Sequence, residues 1–199
     1  MNEDKYTRLA ASKASSLLGV GRSQLITSVV SAKFPWLREG EIVWSRAPDF
    51  RHCMFWIEEG EEPLLLNGKD WTSAVSRVLV AGVGSLPGDL SAASLAQAIR
   101  QLGHDPRGLL AGKELVERVG DSLESWLKND DAHDRQLFLD ANVDPVLSAE
   151  GEHGWELEFN YFNVKGGVEA WTVTGDHAAI QSADRRELLP DHTFFWPMA

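Results

Sequence analysis

The chain has 199 residues, 43% of them hydrophobic, and a formal net charge of −11 at pH 7. Such a chain can bury a real core, as one large domain or two small ones, and is not a disordered polyelectrolyte. A single cysteine, Cys53, excludes an internal disulfide framework and a thiolate zinc cluster, and suits a reducing compartment, so a cytoplasmic location is expected.

The charge is unevenly spread. Residues 1–38 hold six bases (Lys5, Arg8, Lys13, Arg22, Lys33, Arg38) against Glu3 and Asp4, leaving +4 there and −15 over residues 39–199. An acidic body repels nucleic acid and anionic membrane and favours a basic protein partner, so any DNA contact must lie in the N-terminal region. The opening MNEDKYTRLAASK has no apolar h-region, and no apolar run approaches the roughly eighteen residues of a membrane span, so neither a signal peptide nor an anchor is expected.

Residues 4–33 read as helical, with a break at Gly19-Val20-Gly21 and a stop at Phe34-Pro35. Inside this stretch, Ala14 to Val30 (ASSLLGVGRSQLITSVV) carries the spacing of a helix–turn–helix: small Ser15, Gly19 in the turn, Val20 plugging it, and Leu25 and Val29 on one face. The pattern is similar to the LGVSRSTL type of bacterial regulators. That reading places Arg22, Ser23, Gln24 and Thr27 near a DNA groove; ordinary packing of two helices through a glycine turn gives the same pattern.

Strand-like runs follow at Ile42–Ser45, Cys53–Glu58 and Leu64–Leu66, the last two joined by the acidic turn Glu59-Gly60-Glu61-Glu62 and closed by Asn67-Gly68. Gly40-Glu41, the R-x-P-x-x-R of Arg46, Pro48 and Arg51, and Leu66-Asn67-Gly68 lie in order along this region. With the helices after them they give residues 36–126 a pattern that resembles the C-terminal winged-helix tail of bacterial JmjC or cupin-type ribosomal-protein hydroxylases. Those enzymes hold iron through H-x-D/E in a preceding cupin, and this chain has neither H-x-D nor H-x-E. The resemblance therefore implies only the tail's role, docking or dimerisation.

Helices are expected at about 70–80, 90–102 and 111–128. Leu95, Ala98, Ile99 and Leu102 share a face of the second, and Leu115, Val116, Val119, Leu123, Trp126 and Leu127 form a stripe on the third. Between the first two, the run Val78–Ala81 and the glycines Gly82, Gly84 and Gly88 resemble the strand–turn–helix that opens a Rossmann-type nucleotide unit. The spacing is G-x-G-x-x-x-G, and the second strand fails: Pro106 stands where it would begin, with no V-x-V-x-x-D after it. A plain loop, with Asp89 or Ser91 capping the next helix, accounts for the same residues.

Lys128–Asp134 reads as a linker, and the chain beyond it as strand-rich. Trp155, Leu157, Phe159 and Tyr161 alternate with Glu156, Glu158, Asn160 and Phe162, a half-buried strand that turns at Lys165-Gly166-Gly167 into Val168–Thr174. A three-residue loop with a left-handed glycine pairs Tyr161 with Trp171 and Phe159 with Val173, gathering the aromatic residues on one face. Ala178–Gln181 and Thr193–Trp196 are expected to add strands. Phe162, on the otherwise polar face, and Trp196, near the chain end, are the candidate exposed contacts for a partner.

The sequence contains no G-x-S-x-G, P-loop or H-E-x-x-H. His153, His177 and His192 each follow an acid (Glu152, Asp176, Asp191), and His133 lies in DDAHD, but none has the i, i+4 spacing of helical metal ligands. Cys53 sits in an apolar strand, as a packing residue does. No metal or cofactor is assigned. The fold expected is α+β: a helical, mildly basic head (1–38), a mixed hairpin-and-helix middle (39–130), and an antiparallel, tryptophan-rich meander (135–199), with residues 1–130 also readable as one domain. The function expected is a non-catalytic accessory protein that binds a protein partner through an acidic, aromatic-rich surface; the alternatives are a DNA-binding regulator using residues 14–30 and a small-molecule or nucleotide-dependent enzyme at Gly82–Gly88 or the histidine turns.

Overall fold

The computed structural model describes residues 3–104, 107–127, 129, 132–150 and 154–194. The architecture is mixed α+β with antiparallel sheets, in two compact units. One draws on residues 1–88 and 102–104, the other on residues 89–101 and 105–199.

The first unit begins with α1 (Glu3–Leu18) and a sheet of four strands in sequential order: β1 (Ile26–Val29), β2 (Glu41–Arg46), β3 (His52–Ile57) and β4 (Leu64–Leu65). Tyr6, Ala10 and Ala14, spaced by four, form the buried stripe of α1; the two alanines let it lie close to Val43, Cys53, Phe55 and Ile57. β3 is buried on both faces, with Met54 and Trp56 turned away from α1. Asn67 locks the next turn onto β3: its Oδ1 accepts the Met54 N–H (2.9 Å), and its Nδ2 donates to the His52 carbonyl (3.1 Å).

The helix expected through residue 33 stops at Leu18, where Gly19 takes φ +67°. Arg22–Gln24 forms a single 3-10 turn, and the segment expected to be a recognition helix is β1, paired from Ile26↔Arg46 to Val29↔Val43. Ile26-Thr27-Ser28-Val29-Val30 is rich in β-branched residues, which lose rotamer freedom in a helix and fit a pleated surface, and β2 supplies the partner. The helix–turn–helix geometry is therefore absent. α2 (Trp71–Val83) takes in Val78–Ala81, so the first strand of the nucleotide-binding unit is absent as well. Gly82 lies inside that helix against Trp36, where an added Cβ would come within 2.6 Å of the indole ring. Gly84 ends the helix at φ +87°, its N–H bonded to the Val80 carbonyl (2.7 Å), and Gly88 has φ +61° in the loop beyond. Close packing, a helix cap and a loop turn account for these three glycines.

α3 (Ala92–Gly103) buries the predicted stripe of Leu95, Ala98, Ile99 and Leu102. The second unit then contains β5 (Leu109–Leu110), α4 (Lys113–Val119), a 3-10 segment (Gly120–Ser125), α5 (Ala132–Ala141), and strands β6 (Val146–Glu150), β7 (Gly154–Phe162), β8 (Val168–Asp176) and β9 (Ile180–Leu189). The sheet order is β5-β7-β8-β9, with β6 also on β7. The helix expected over 111–128 is broken at Gly120 (φ +39°), yet Leu115, Val119, Trp126 and Leu127 are buried together. α5 begins inside the expected linker; its sequence AHDRQLFLDA has too few apolar residues to show a stripe, and Phe138 and Ala141 carry its burial.

The β7–β8 hairpin gathers the predicted aromatic face in a different register. Phe159 pairs with Trp171 and Leu157 with Val173, where Tyr161–Trp171 and Phe159–Val173 were expected. The three-residue loop is Val164-Lys165-Gly166, one residue earlier than read, and moving a loop by one shifts the pairing by two, which keeps every side chain on its face. Asn163 selects this loop: its Oδ1 accepts the Lys165 and Gly167 N–H groups (2.9 and 3.1 Å), and Gly166 takes the left-handed position at φ +76°.

Phe162 corrects a second expectation. It is wholly buried, packed with Phe138, Val168 and Phe194, because α4 and α5 cover this end of the polar face. Trp196 lies outside the described residues. Truncating Phe162 to alanine should cost about 3–5 kcal/mol of unfolding free energy, as large-to-small changes in packed cores do; urea titration checks this, and a loss within about 0.5 kcal/mol would mean the side chain is exposed.

Candidate functional site

The alternation of β7, β8 and β9 gives the second sheet two unlike faces. One carries Trp155, Leu157, Phe159, Tyr161, Trp171 and Val173, all buried. Arg100 of α3 lies on this face, its guanidinium 4.2 Å from the Tyr161 ring centre and 5.2 Å from that of Trp171. Glu169 takes the charge at 3.5 Å, accepts the Trp171 indole N–H at 3.0 Å, and has Arg185 at 3.8 Å. A cation that is 4% exposed is tolerated through the carboxylate and the two ring faces. These aromatics are committed to the interior, so they cannot form a partner surface.

The opposite face is open beyond the Phe162 end. Cross-strand pairing sets Val146, Glu158, Thr172 and Asp184 in one row, and Asn160, Ala170 and Arg186 in the next. The middle of these two rows, Thr172 and Ala170, has small side chains and forms the floor of a groove of about 470 Å³. Val143 and Asp144, which follow α5, line one side; Asp184, Arg186 and Leu188 of β9 line the other. Val143 and Val146 are more than half exposed (54% and 53%). Asn160 holds the α5 end against the floor, its Nδ2 donating to the Ala141 carbonyl at 3.0 Å. Asp144 accepts the Lys113 N–H through one oxygen (2.7 Å), while Glu158, Asp184 and Arg186 take no ion pair among the described residues. The groove therefore offers aliphatic contact area beside three carboxylates and one guanidinium.

The residues singled out in the sequence are not brought together here. Arg22, Ser23 and Gln24 occupy the 3-10 turn before β1, with the Arg22 Nη2 donating to Ser12 Oγ, and Thr27 faces Ser45, hydroxyl to hydroxyl at 3.1 Å. Cys53 is buried against α1, and desolvation pushes its thiol pKa up to about 11, which suppresses the thiolate. Among the described residues no three His, Cys, Asp or Glu side chains gather as metal ligands. His153 and Glu152 lie outside the described residues.

The remaining acid–His turns have a structural explanation. Asp176 Oδ1 accepts the N–H groups of Ala178 and Ala179 (2.8 and 2.9 Å), and Oδ2 accepts Gln181 Nε2 (2.8 Å). Asp191 is held by Lys165 (2.9 Å) and by Asn163 Nδ2 (2.9 Å). The carboxyl of Asp176 is held below the usual range by the Ala178 N–H first, and that of Asp191 by the Lys165 ammonium first. The acids thus serve the turns at the two ends of β8. What the sequence reading missed was the groove, and the signal available was the small-residue run of β8, Ala170 and Thr172, opposite the charged run of β9. No protein family, curated protein or solved structure matches the chain.

Because Asp176 and Asp191 bind protons less tightly in the folded chain, their stabilisation is present above the ordinary aspartate value of 3.8 and is lost as pH falls through the lower folded values. Asp176→Asn with Asp191→Asn should lower the melting temperature at pH 7 and flatten its decline below about pH 4, which scanning calorimetry across pH checks. An unchanged acid slope would remove these turns from the account.

Proposed function

We propose that this protein is a non-catalytic accessory protein that holds a basic segment of a protein partner in the groove of its second sheet. One observation carries the reading: the groove pairs exposed aliphatic side chains, Val143, Val146 and Leu188, with the unpaired carboxylates of Glu158 and Asp184. Aliphatic area supplies affinity and carboxylates supply orientation and association rate, the division of labour common at protein interfaces. The −11 carried by residues 89–199 draws a basic segment toward this unit before any contact forms. Arg186 sets polarity, since it favours a carboxylate or carbonyl at one end of the bound segment and lysine or arginine at the other.

A labelled ten-residue peptide of alternating lysine and leucine tests this by fluorescence anisotropy. Glu158→Lys with Asp184→Lys should weaken its binding at least about tenfold, and Ala170→Trp, which fills the floor, should do the same. Glu61→Lys, on the acidic turn of the other unit, controls for the general field of the chain. Equal losses from Glu61→Lys and the groove variants, or no binding by the wild type, would overturn the reading.

A further inference from the structure

The first unit contains a second surface with the opposite charge. β1 is the outer strand of its sheet, and β2 is its one strand partner among the described residues. The Val30 N–H donates to the Ile42 carbonyl at 2.8 Å, which puts Ile26, Ser28 and Val30 at the positions that bond toward β2. The alternation of an antiparallel ladder then turns the N–H and C=O groups of Thr27 and Val29 away from β2, and neither residue has a backbone partner on that outer side among the described residues. Side chains at these positions are already committed, since Thr27 meets Ser45 and Val29 joins the core under α1. What the edge presents is backbone.

The face beside this edge is built for contact. Ile26, more than half exposed, pairs with Arg46, whose guanidinium lies 5.4 Å from the ring centres of both Trp44 and Phe50. Phe50 holds its ring there from a left-handed backbone (φ +67°) that a bulky residue seldom adopts, and it is 57% exposed. Isoleucine, arginine, tryptophan and phenylalanine side by side on a surface match the composition of interface centres, in which aromatic and arginine side chains dominate the energy. The charge beside the strand is basic on balance: Arg22 precedes it, Lys33 follows it and Arg46 lies across from Ile26, against one carboxylate, Glu41, which accepts the Ser31 hydroxyl; the sequence has no acid from Lys5 to Arg38.

We propose that the outer edge of β1 is a docking site for an extended, acidic segment of a protein partner, which adds as a fifth strand. Thr27 and Val29 would supply about four backbone hydrogen bonds to it, two donors and two acceptors. Alternate side chains of the segment would cover Ile26 and reach Arg46, and its carboxylates would answer Arg22, Arg46 and Lys33. A second copy of this chain fits poorly, since two edges of the same positive charge would meet. The site is separate from the groove and takes the opposite charge, so an acidic probe tests it independently of the basic one.

The probe is a labelled ten-residue peptide of alternating glutamate and valine, measured against the full chain by anisotropy, together with amide hydrogen exchange. The peptide should slow exchange at Thr27 and Val29 at least about tenfold, and Ile26→Glu or Arg46→Glu should weaken binding by a similar factor. A peptide N-methylated at every second residue, which cannot donate along one edge, should lose binding to the unmodified protein, so the inference does not depend on a variant folding. No binding, equal binding of a lysine–valine peptide, or indifference to N-methylation would overturn it. Protection of Thr27 and Val29 by mixed-sequence duplex DNA, steeply lost with salt and not given by the acidic peptide, would overturn it in favour of a nucleic-acid surface.

Discussion

The buried guanidinium of Arg100 decides how the second unit is built. A cation taken out of water costs several kcal/mol or more unless it is matched, and here the match is Glu169 at 3.5 Å together with the faces of Tyr161 and Trp171. Glu169, the residue of β8 paired with Tyr161, is fixed in turn by the Trp171 indole. α3 contributes the charge and β7 and β8 contribute its environment, so strand register and helix position specify each other. A register shift of one residue would send Glu169, Tyr161 and Trp171 to the far face and strand the cation.

The open groove is a consequence of that commitment. Once the aromatic residues face Arg100, the alternation of the strands gives the opposite face Glu158, Asn160, Ala170, Thr172, Asp184 and Arg186. α4 and α5 cover only the end of that face where Phe162 and Val168 lie, and the uncovered remainder has small side chains in the middle and charges at the margins. The first unit treats its sheet differently. β3 is buried on both faces, and the exposed contact area falls at the β1 side, with Ile26, Arg46 and Phe50. Both units therefore present charged and partly apolar side chains at a sheet surface.

Elements with a strong period were legible in the sequence. The α3 stripe, strands β2 and β3, and the one-sided aromatic face of β7 and β8 all follow from apolar spacing, and burial alone could choose the face. Elements that depend on a distant partner were not. ITSVV becomes a strand only because β2 is available at Arg46 to Val43, residues read separately from it. α5 has no periodic stripe and is held through Phe138 and Ala141 by a core assembled from α4, β7, β8 and the segments around Trp126 and Phe194. The hairpin register was misread because Asn163, whose side chain closes the loop, was counted as strand. Phe162 was placed on the correct face but assigned to solvent, since nothing local shows that two helices return to cover one end of it. The groove was missed because its floor is only two small alternate residues of β8, Ala170 and Thr172, while the charges and aliphatic groups beside them come from β6, β7, β9 and the segment after α5.

Arg100 and Glu169 act as one unit that holds the sheet to α3, and a double-mutant cycle tests this most directly. Arg100→Met alone should cost about 3–5 kcal/mol in urea unfolding, because it leaves the Glu169 carboxylate without its main partner. Combining it with Glu169→Gln, which keeps an acceptor for the Trp171 indole, should recover at least about 1 kcal/mol of the summed single losses. Strictly additive losses, or an Arg100→Met cost below about 1 kcal/mol, would show that the pair does not hold the sheet to α3 and would contradict the account.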